Sequence, residues 1–240
     1  MRNLHKAYYK DYFKNLNFGY LLNNGEEPKT EIKRRNEGLT APNLLHKLPK
    51  ISLANQDFEL EVVYPGLVTG IGINHEAKIE GEFKLGVHFD WTYGMPVVYG
   101  SSVKGVLKSY FKEFYNPNES QPEVNDAIKD IFEGEGKSIY NRDVFFDAVI
   151  VEADKKNRIL CSDSITPHGN NPLKNPVPIT FLKIASGCKL EFRFKLVDTV
   201  IVKDGRTLTL TATQKLDIFK DILTTVGIGA KTNVGYGQLK

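Results

Sequence analysis

Two stretches of this chain combine residue types that could hold a polyanion. The first runs Gly227-Ile228-Gly229-Ala230-Lys231-Thr232-Asn233-Val234-Gly235-Tyr236-Gly237. Glycines let the backbone approach a ligand closely, and successive bare amides can cradle an anion. Lys231 adds charge, Thr232 and Asn233 add polar groups, and Tyr236 offers a ring on which a base could stack. A plain helix end followed by a tight strand entry would use the same glycines. Known nucleotide loops do not fit: a P-loop needs glycine immediately before the lysine, where Ala230 stands, and the Rossmann spacing is absent.

The second stretch is Gly100-Ser101-Ser102-Val103-Lys104. A helix beginning at the serines would aim free N–H groups and a partial positive charge at a phosphate, with Lys104 beside them. Lys108 and Lys112 continue a basic ridge at four-residue spacing. Lys33-Arg34-Arg35 forms a third basic cluster, suited to phosphate contacts that release counterions or to docking a partner. Trp91 and Tyr93 could stack bases or pack beneath the helix.

Catalytic patterns are weaker. His88 precedes Phe89-Asp90-Trp91 and His168 lies in the Thr166-Pro167-His168-Gly169 loop, and a lone histidine is more often a packing or hydrogen-bonding residue than a general base. Asp143, Asp147, Glu133 and Glu135 follow no metal-ligand spacing, and Cys161 and Cys188 are isolated from any histidine pair. No metal, cofactor or catalytic residue is expected.

Several elements must position these groups. Residues 3–16 read as a helix and residues 23–50 as a long polar loop or mobile arm. Alternating apolar residues predict strands at 58–64, 83–89, 144–151, 158–161 and 189–197, with a last short strand at 235–239. Val103, Leu107, Tyr110, Phe111 and Phe114 recur at helical spacing over 101–115, capped by Ser101 or Ser102. A weaker helix covers 122–133, and Leu216, Phe219, Leu223 and Val226 line one side of a helix over 214–226. Residues 163–180 are loop-rich. Without insertions the order is β-α-β-β-α-β, an α+β ferredoxin-like arrangement. Such a sheet carries both helices on one face and leaves the other open, the geometry of RNA-recognition modules.

Composition agrees with a packed globular chain of 240 residues, 41% hydrophobic and 25% charged. No apolar run is long enough for a membrane span, and two cysteines suit a reducing cytoplasm. The net charge is only +3, but residues 1–50 carry 10 basic against 5 acidic groups and residues 201–240 carry 6 against 3, while the middle is acidic. Basic ends could neutralise phosphates, although a mixed solvated surface looks the same.

The segment Tyr93-Gly94-Met95-Pro96-Val97-Val98-Tyr99-Gly100-Ser101-Ser102-Val103-Lys104-Gly105, with the glycine-rich terminus, resembles the RAMP family of CRISPR RNA-binding subunits. It departs in detail, as at Tyr99, where proline is common. Asp163-Ser164-Ile165-Thr166-Pro167-His168 and Asn175-Pro176-Val177-Pro178-Ile179-Thr180-Phe181-Leu182 narrow the resemblance to sixth subunits of type III-B (Cmr) effector complexes. The resemblance spans about 58–240. It implies a single RAMP domain over 1–240, with an N-terminal helix and basic arm at 1–50 and insertions at 65–100 and 163–187. It further implies a noncatalytic, cytoplasmic subunit that caps the backbone filament near the 3′ part of the CRISPR RNA and supports recognition of target RNA. The implied partners are both RNAs, the backbone RAMP subunit, the small helical subunit and the terminal RAMP subunit. The implied contacts are Ser101, Ser102, Lys104, Lys108, Gly227, Gly229, Lys231, Thr232, Asn233, Gly235 and Tyr236, with Lys33, Arg34, Arg35 and His168. Some RAMP proteins instead cleave CRISPR transcripts without a metal, which makes a processing endoribonuclease the alternative.

Overall fold

A computed structural model describes residues 3–16, 26–70, 79–84, 86–115, 122–166, 178–203 and 205–240. The central sheet is antiparallel. Strand β1 (Gln56–Glu61) pairs with Lys189–Lys195, which pairs with Ala148–Glu152, then Pro96–Val98, then His88–Phe89. Val144–Phe145 also pairs with Lys189–Lys195. On the other side of β1, Leu239 bridges Val62. Two hairpins stand apart, Leu160–Ile165 with Ile179–Ile184 and Thr199–Lys203 with Arg206–Leu210.

Alternation along Lys189–Lys195 sorts the two faces. Leu190, Phe192 and Phe194 are fully buried. The Phe194 and Phe219 ring centroids lie 5.4 Å apart, so this face carries the helix Ala212–Val226. Phe111 of the helix Gly100–Tyr115 meets Phe219 edge-on at 6.2 Å, which sets the two long helices side by side. Glu191 and Arg193 point the opposite way, because successive strand side chains leave opposite faces.

That opposite face is not fully open, contrary to the expectation from element order. A strap over residues 44–54 crosses it, with Leu44, Leu45 and Leu48 packed against the core. Both strap ends are tied down. The Asn43 N–H donates to the Asn157 carbonyl at 2.8 Å, and Asn55 exchanges side-chain hydrogen bonds with the Leu196 backbone.

The expected arm at 23–50 is also corrected, since Glu26–Leu39 is an α-helix. Ile32 and Leu39, seven apart, are buried on one side. Glu31 accepts from Arg34 at 2.7 Å and from Arg35 at 2.6 Å, pairs that support a helix across one turn. The Arg35 guanidinium then turns inward and donates to the carbonyls of Asp11, Tyr12 and Lys14. It satisfies the orphan carbonyls that end the first helical segment, Leu4–Lys6 continuing into a π-helical turn, Ala7–Asp11. The helix expected over 3–16 is thus shorter, and its Tyr8 and Tyr12 hydroxyls bracket the Phe83 backbone at 2.8 Å each.

Strand boundaries differ where a polar or backbone contact interrupts the alternation. The run at 144–151 splits around Phe146-Asp147, because the Asp147 carboxylate leaves the sheet to accept the Gly100 N–H at 2.7 Å. Among the described residues of 83–89, His88–Phe89 is a strand and Lys84 makes a single parallel bridge to Phe181, and the strand expected at 158–161 runs Leu160–Ile165. The strand expected at 235–239 is instead a turn over 235–237, following the 3-10 turn Thr232–Val234, with a single bridge at Leu239.

Lys215 ties the layers together. Its ammonium, fully buried, donates to Asp143 Oδ2 at 2.6 Å, the Val197 carbonyl at 2.7 Å and Thr199 Oγ1 at 2.9 Å. Burial pushes the Asp143 carboxyl up and the Lys215 ammonium down from their ordinary values.

Candidate nucleic-acid interface

The glycine-rich bend follows directly on Ala212–Val226. Ile228 N–H donates to the Gly237 carbonyl and Gly237 N–H to the Gly66 carbonyl, each at 2.9 Å, while Ala230 N–H reaches the Val68 carbonyl at 2.8 Å. Gly237 has φ 72°, and a Cβ there would collide with the Ile228 carbonyl oxygen. The amides of Gly227, Gly235 and Tyr236 are likewise taken by Leu223, Thr232 and Lys231 carbonyls. The glycines therefore let three backbone segments cross, rather than leaving a row of bare amides.

What faces solvent is the tip. Gly229, Lys231 and Asn233 are exposed, Thr232 is half-buried, and Lys231 is left-handed at φ 62°. Tyr236 is no open stacking platform. Its ring is buried edge-on to Phe181, the Lys183 ammonium sits 5.4 Å from its centroid, and its hydroxyl donates to Asp163 Oδ2 at 2.8 Å. Burial first, then the Asp163 contact, pushes the Tyr236 phenol up to about 12. Lys183 also pairs with Asp163. Burial alone would raise the Asp163 carboxyl, but the bonds from Lys183, Tyr236 and the Ser164 N–H hold it below its ordinary value.

The second bend differs from the expected serine cap. The helix starts at Gly100, whose N–H is taken by Asp147, and the N–H groups of Ser102 and Val103 donate to the Tyr99 carbonyl. The cap is thus supplied by an aspartate from across the sheet. Gly100 is required for that approach, since a Cβ would strike the Phe145 carbonyl. Ser101 is exposed, and Ser102 and Lys104 are half-buried. Around them lies a cavity of about 230 Å³ lined by Gly100, Ser101, Lys104, Glu133, Arg142 and Asp143. Lys108 is exposed but paired with Glu133 at 2.9 Å, a contact that holds the Glu133 carboxyl low. Arg142 gives the cavity a second cation beside Lys104. Sequence reasoning missed it, because it sits in an irregular turn without periodicity.

One continuous run joins the two bends. Ala230 rests on Val68, and the Thr69 hydroxyl accepts the His88 N–H at 2.6 Å. Gly70 presses on the His88 ring, where a Cβ would not fit. His88 stacks on Tyr99 with centroids 4.5 Å apart, and Tyr99 precedes Gly100. Burial lowers the His88 pKa, and its ring sits as a spacer between the bends.

The remaining candidates lie elsewhere. Lys33 is exposed and Arg34 is paired with Glu31, while Arg35 is spent on backbone carbonyls. With Lys6 and Lys14, the two arginines border a separate cavity of about 520 Å³. Trp91 is exposed and packs on His5 at 5.0 Å. His168 lies outside the described residues. Among the described residues no group of three or more His, Cys, Asp or Glu side chains is placed to hold a metal ion, and no helix is long and apolar enough to cross a membrane. Both cysteines are free thiols, and burial pushes Cys188 up to about 12.

The RAMP superfamily model matches residues 59–240, from β1 through both bends. The chain belongs to the RAMP superfamily. Its fold is similar to a chain of a solved assembly, the cryo-EM structure of the Type III-B Cmr-beta bound to cognate target RNA. That match has a TM-score of 0.54 and 22% identity over 77% of this chain, and it spans 57% of the other chain's length. The crystal structure of Cmr6 from Pyrococcus furiosus is also similar, with a TM-score of 0.44 and 19% identity, over 77% of this chain and 96% of that one. No curated protein matches the chain.

Proposed function

We propose that this protein is a noncatalytic RNA-binding subunit of a type III-B CRISPR ribonucleoprotein. In this reading it is a cytoplasmic protein of one RAMP domain that caps the backbone filament near the 3′ part of the CRISPR RNA and supports target recognition. Its protein partners are the neighbouring backbone, terminal and small helical subunits. Family membership supports the RNA class. The order Leu239, β1, Lys189–Lys195, Ala148–Glu152, all antiparallel, supports the ferredoxin-like reading of the core. The observation that carries the proposal is the join between the two bends. It places Lys231 and the Lys104–Arg142 cavity at the ends of one run of packed residues, so a single strand could meet both. Cations spaced along a surface bind the phosphate backbone regardless of sequence.

The test uses the chain assembled with its effector subunits and guide RNA. Crosslinks should map to 101–104, Arg142 and 229–233. In salt titrations of RNA binding, the double variant Lys104→Glu/Lys231→Glu should lower the slope of log K against log salt by about two. An unchanged slope, with crosslinks confined to other surfaces, would remove the proposal. Incubation with repeat RNA in EDTA should give no discrete product. A product abolished by His88→Ala would establish the endoribonuclease instead.

A further inference from the structure

The strap over residues 44–54 encloses a cavity of about 390 Å³ against the helix-free face of the sheet. Arg193 forms part of its floor and is nine-tenths buried. Its Nη2 donates to the Asp147 carbonyl at 3.3 Å, but its Nε has no hydrogen-bond partner. Glu191 stands 3.7 Å from that Nε, beyond hydrogen-bond range. His46, in the strap above, also has a buried Nε2 without a partner. Among the described residues five buried side-chain polar atoms lack a partner, and two of them belong to the lining of this one cavity. Buried polar groups are normally satisfied, and both residues line one cavity, which points to a ligand with an acceptor for the Arg193 Nε–H.

The lining narrows the ligand class. Arg193, Lys47 and Lys50 outnumber Asp57 and Glu191, which favours an anion. Leu45, Leu48, Val149 and Val151 give the same cavity an apolar wall that a bare oxyanion would leave unused. The volume lies in the range typical of small-molecule sites. We propose that this cavity seats one nucleotide unit, with its phosphate on Arg193 and the strap lysines and its base against the apolar wall. The unit could be a nucleotide of a single strand passing over the sheet or a free mononucleotide, and the chemistry of recognition is the same. The inference rests on the RNA-binding reading but places a contact on a surface that the two bends do not include.

Hydrogen–deuterium exchange of the full chain, followed at residues 44–54, tests it with three probes: adenosine 5′-monophosphate, inorganic phosphate and a short single-stranded RNA. The mononucleotide should slow exchange in the strap, and inorganic phosphate at equal concentration should not. Arg193→Gln should weaken mononucleotide binding about tenfold, the loss expected for one charge-assisted hydrogen bond. Because Arg193 is buried, the exposed pair Lys47→Glu/Lys50→Glu is the second variant and should weaken binding without lowering the melting temperature. Lys104→Glu/Lys231→Glu should leave strap protection by the mononucleotide intact. Strap protection by RNA identifies a strand as the source, and protection by the mononucleotide alone identifies a free nucleotide. The inference is overturned if no probe protects the strap, if phosphate alone protects it equally, or if protection survives both strap variants. RNA that binds through the bends while no probe protects the strap would remove this inference and leave the proposed function standing. Strap protection by the mononucleotide in a chain that binds no RNA would do the reverse.

Discussion

Replacing Lys215 with methionine keeps the length of the side chain and removes its ammonium. In the native protein that ammonium meets Asp143, the Val197 carbonyl and Thr199 with no exposure to water. Among the described residues, the variant leaves the buried Asp143 carboxylate with the Val197 N–H, 2.8 Å away, as its remaining hydrogen-bond donor. Breaking a buried pair from one side costs about 3–5 kcal/mol. For a chain of this size that corresponds to a melting temperature lower by roughly 6–20 °C. Asp143→Asn/Lys215→Met removes both charges and should recover much of the loss. Urea unfolding of the wild type, both single variants and the double variant closes the cycle, with a coupling of about 2 kcal/mol or more expected between neighbours in one network. If Lys215→Met cost under about 1 kcal/mol, or if the two changes were additive, the pair would not be the tie described above. Because Asp143 also lines the Lys104 cavity, the single variants should loosen RNA binding as well.

Gly237→Ala forces a Cβ toward the Ile228 carbonyl at positive φ and should cost about 1–3 kcal/mol, read from thermal unfolding. Tyr236→Phe loses the bond to Asp163 and should destabilise by about 1 kcal/mol while RNA affinity stays unchanged; a large affinity loss would make the hydroxyl part of the RNA contact. The Asp163 carboxyl lies below its ordinary value in the folded protein, so its contribution is complete above pH of about 4 and is lost as the pH falls through the lowered value. Exchange at 232–237 should therefore rise, relative to the rest of the chain, on acidification through that window. Asp163→Asn should flatten the response.

Strong periodicity was readable without coordinates. The helices over 101–115 and 214–226 and the strand at 189–197 declare themselves because one face of each is continuously apolar. The same pattern could not show that residues 26–39 coil. Their helix rests on two buried side chains and on Arg35 reaching back to carbonyls some twenty residues earlier, a tertiary contact that composition does not record. Lysines looked alike in the sequence, yet Lys231 faces water, Lys183 is clamped to Asp163 and Lys215 is fully buried. The glycines of the terminal bend read as places where backbone approaches a ligand, whereas in the fold they let backbone meet backbone. The approaching partner was unknowable, because Gly66 and Val68 lie just beyond β1, far earlier in the chain. The serine cap lost to Asp147 for the same reason: the better acceptor comes from across the fold.

The sheet's pairing order carries a consequence for synthesis. Gln56 lies opposite Phe194, so β1 cannot find this neighbour until Lys189–Lys195 has left the ribosome. Lys189–Lys195 is the keystone between β1 and Ala148–Glu152. Until it emerges, Phe58 and Leu60 stay unpaired beside other apolar segments. Closing so long a loop is slow, and nascent chains stalled before that strand would be the ones that need a chaperone.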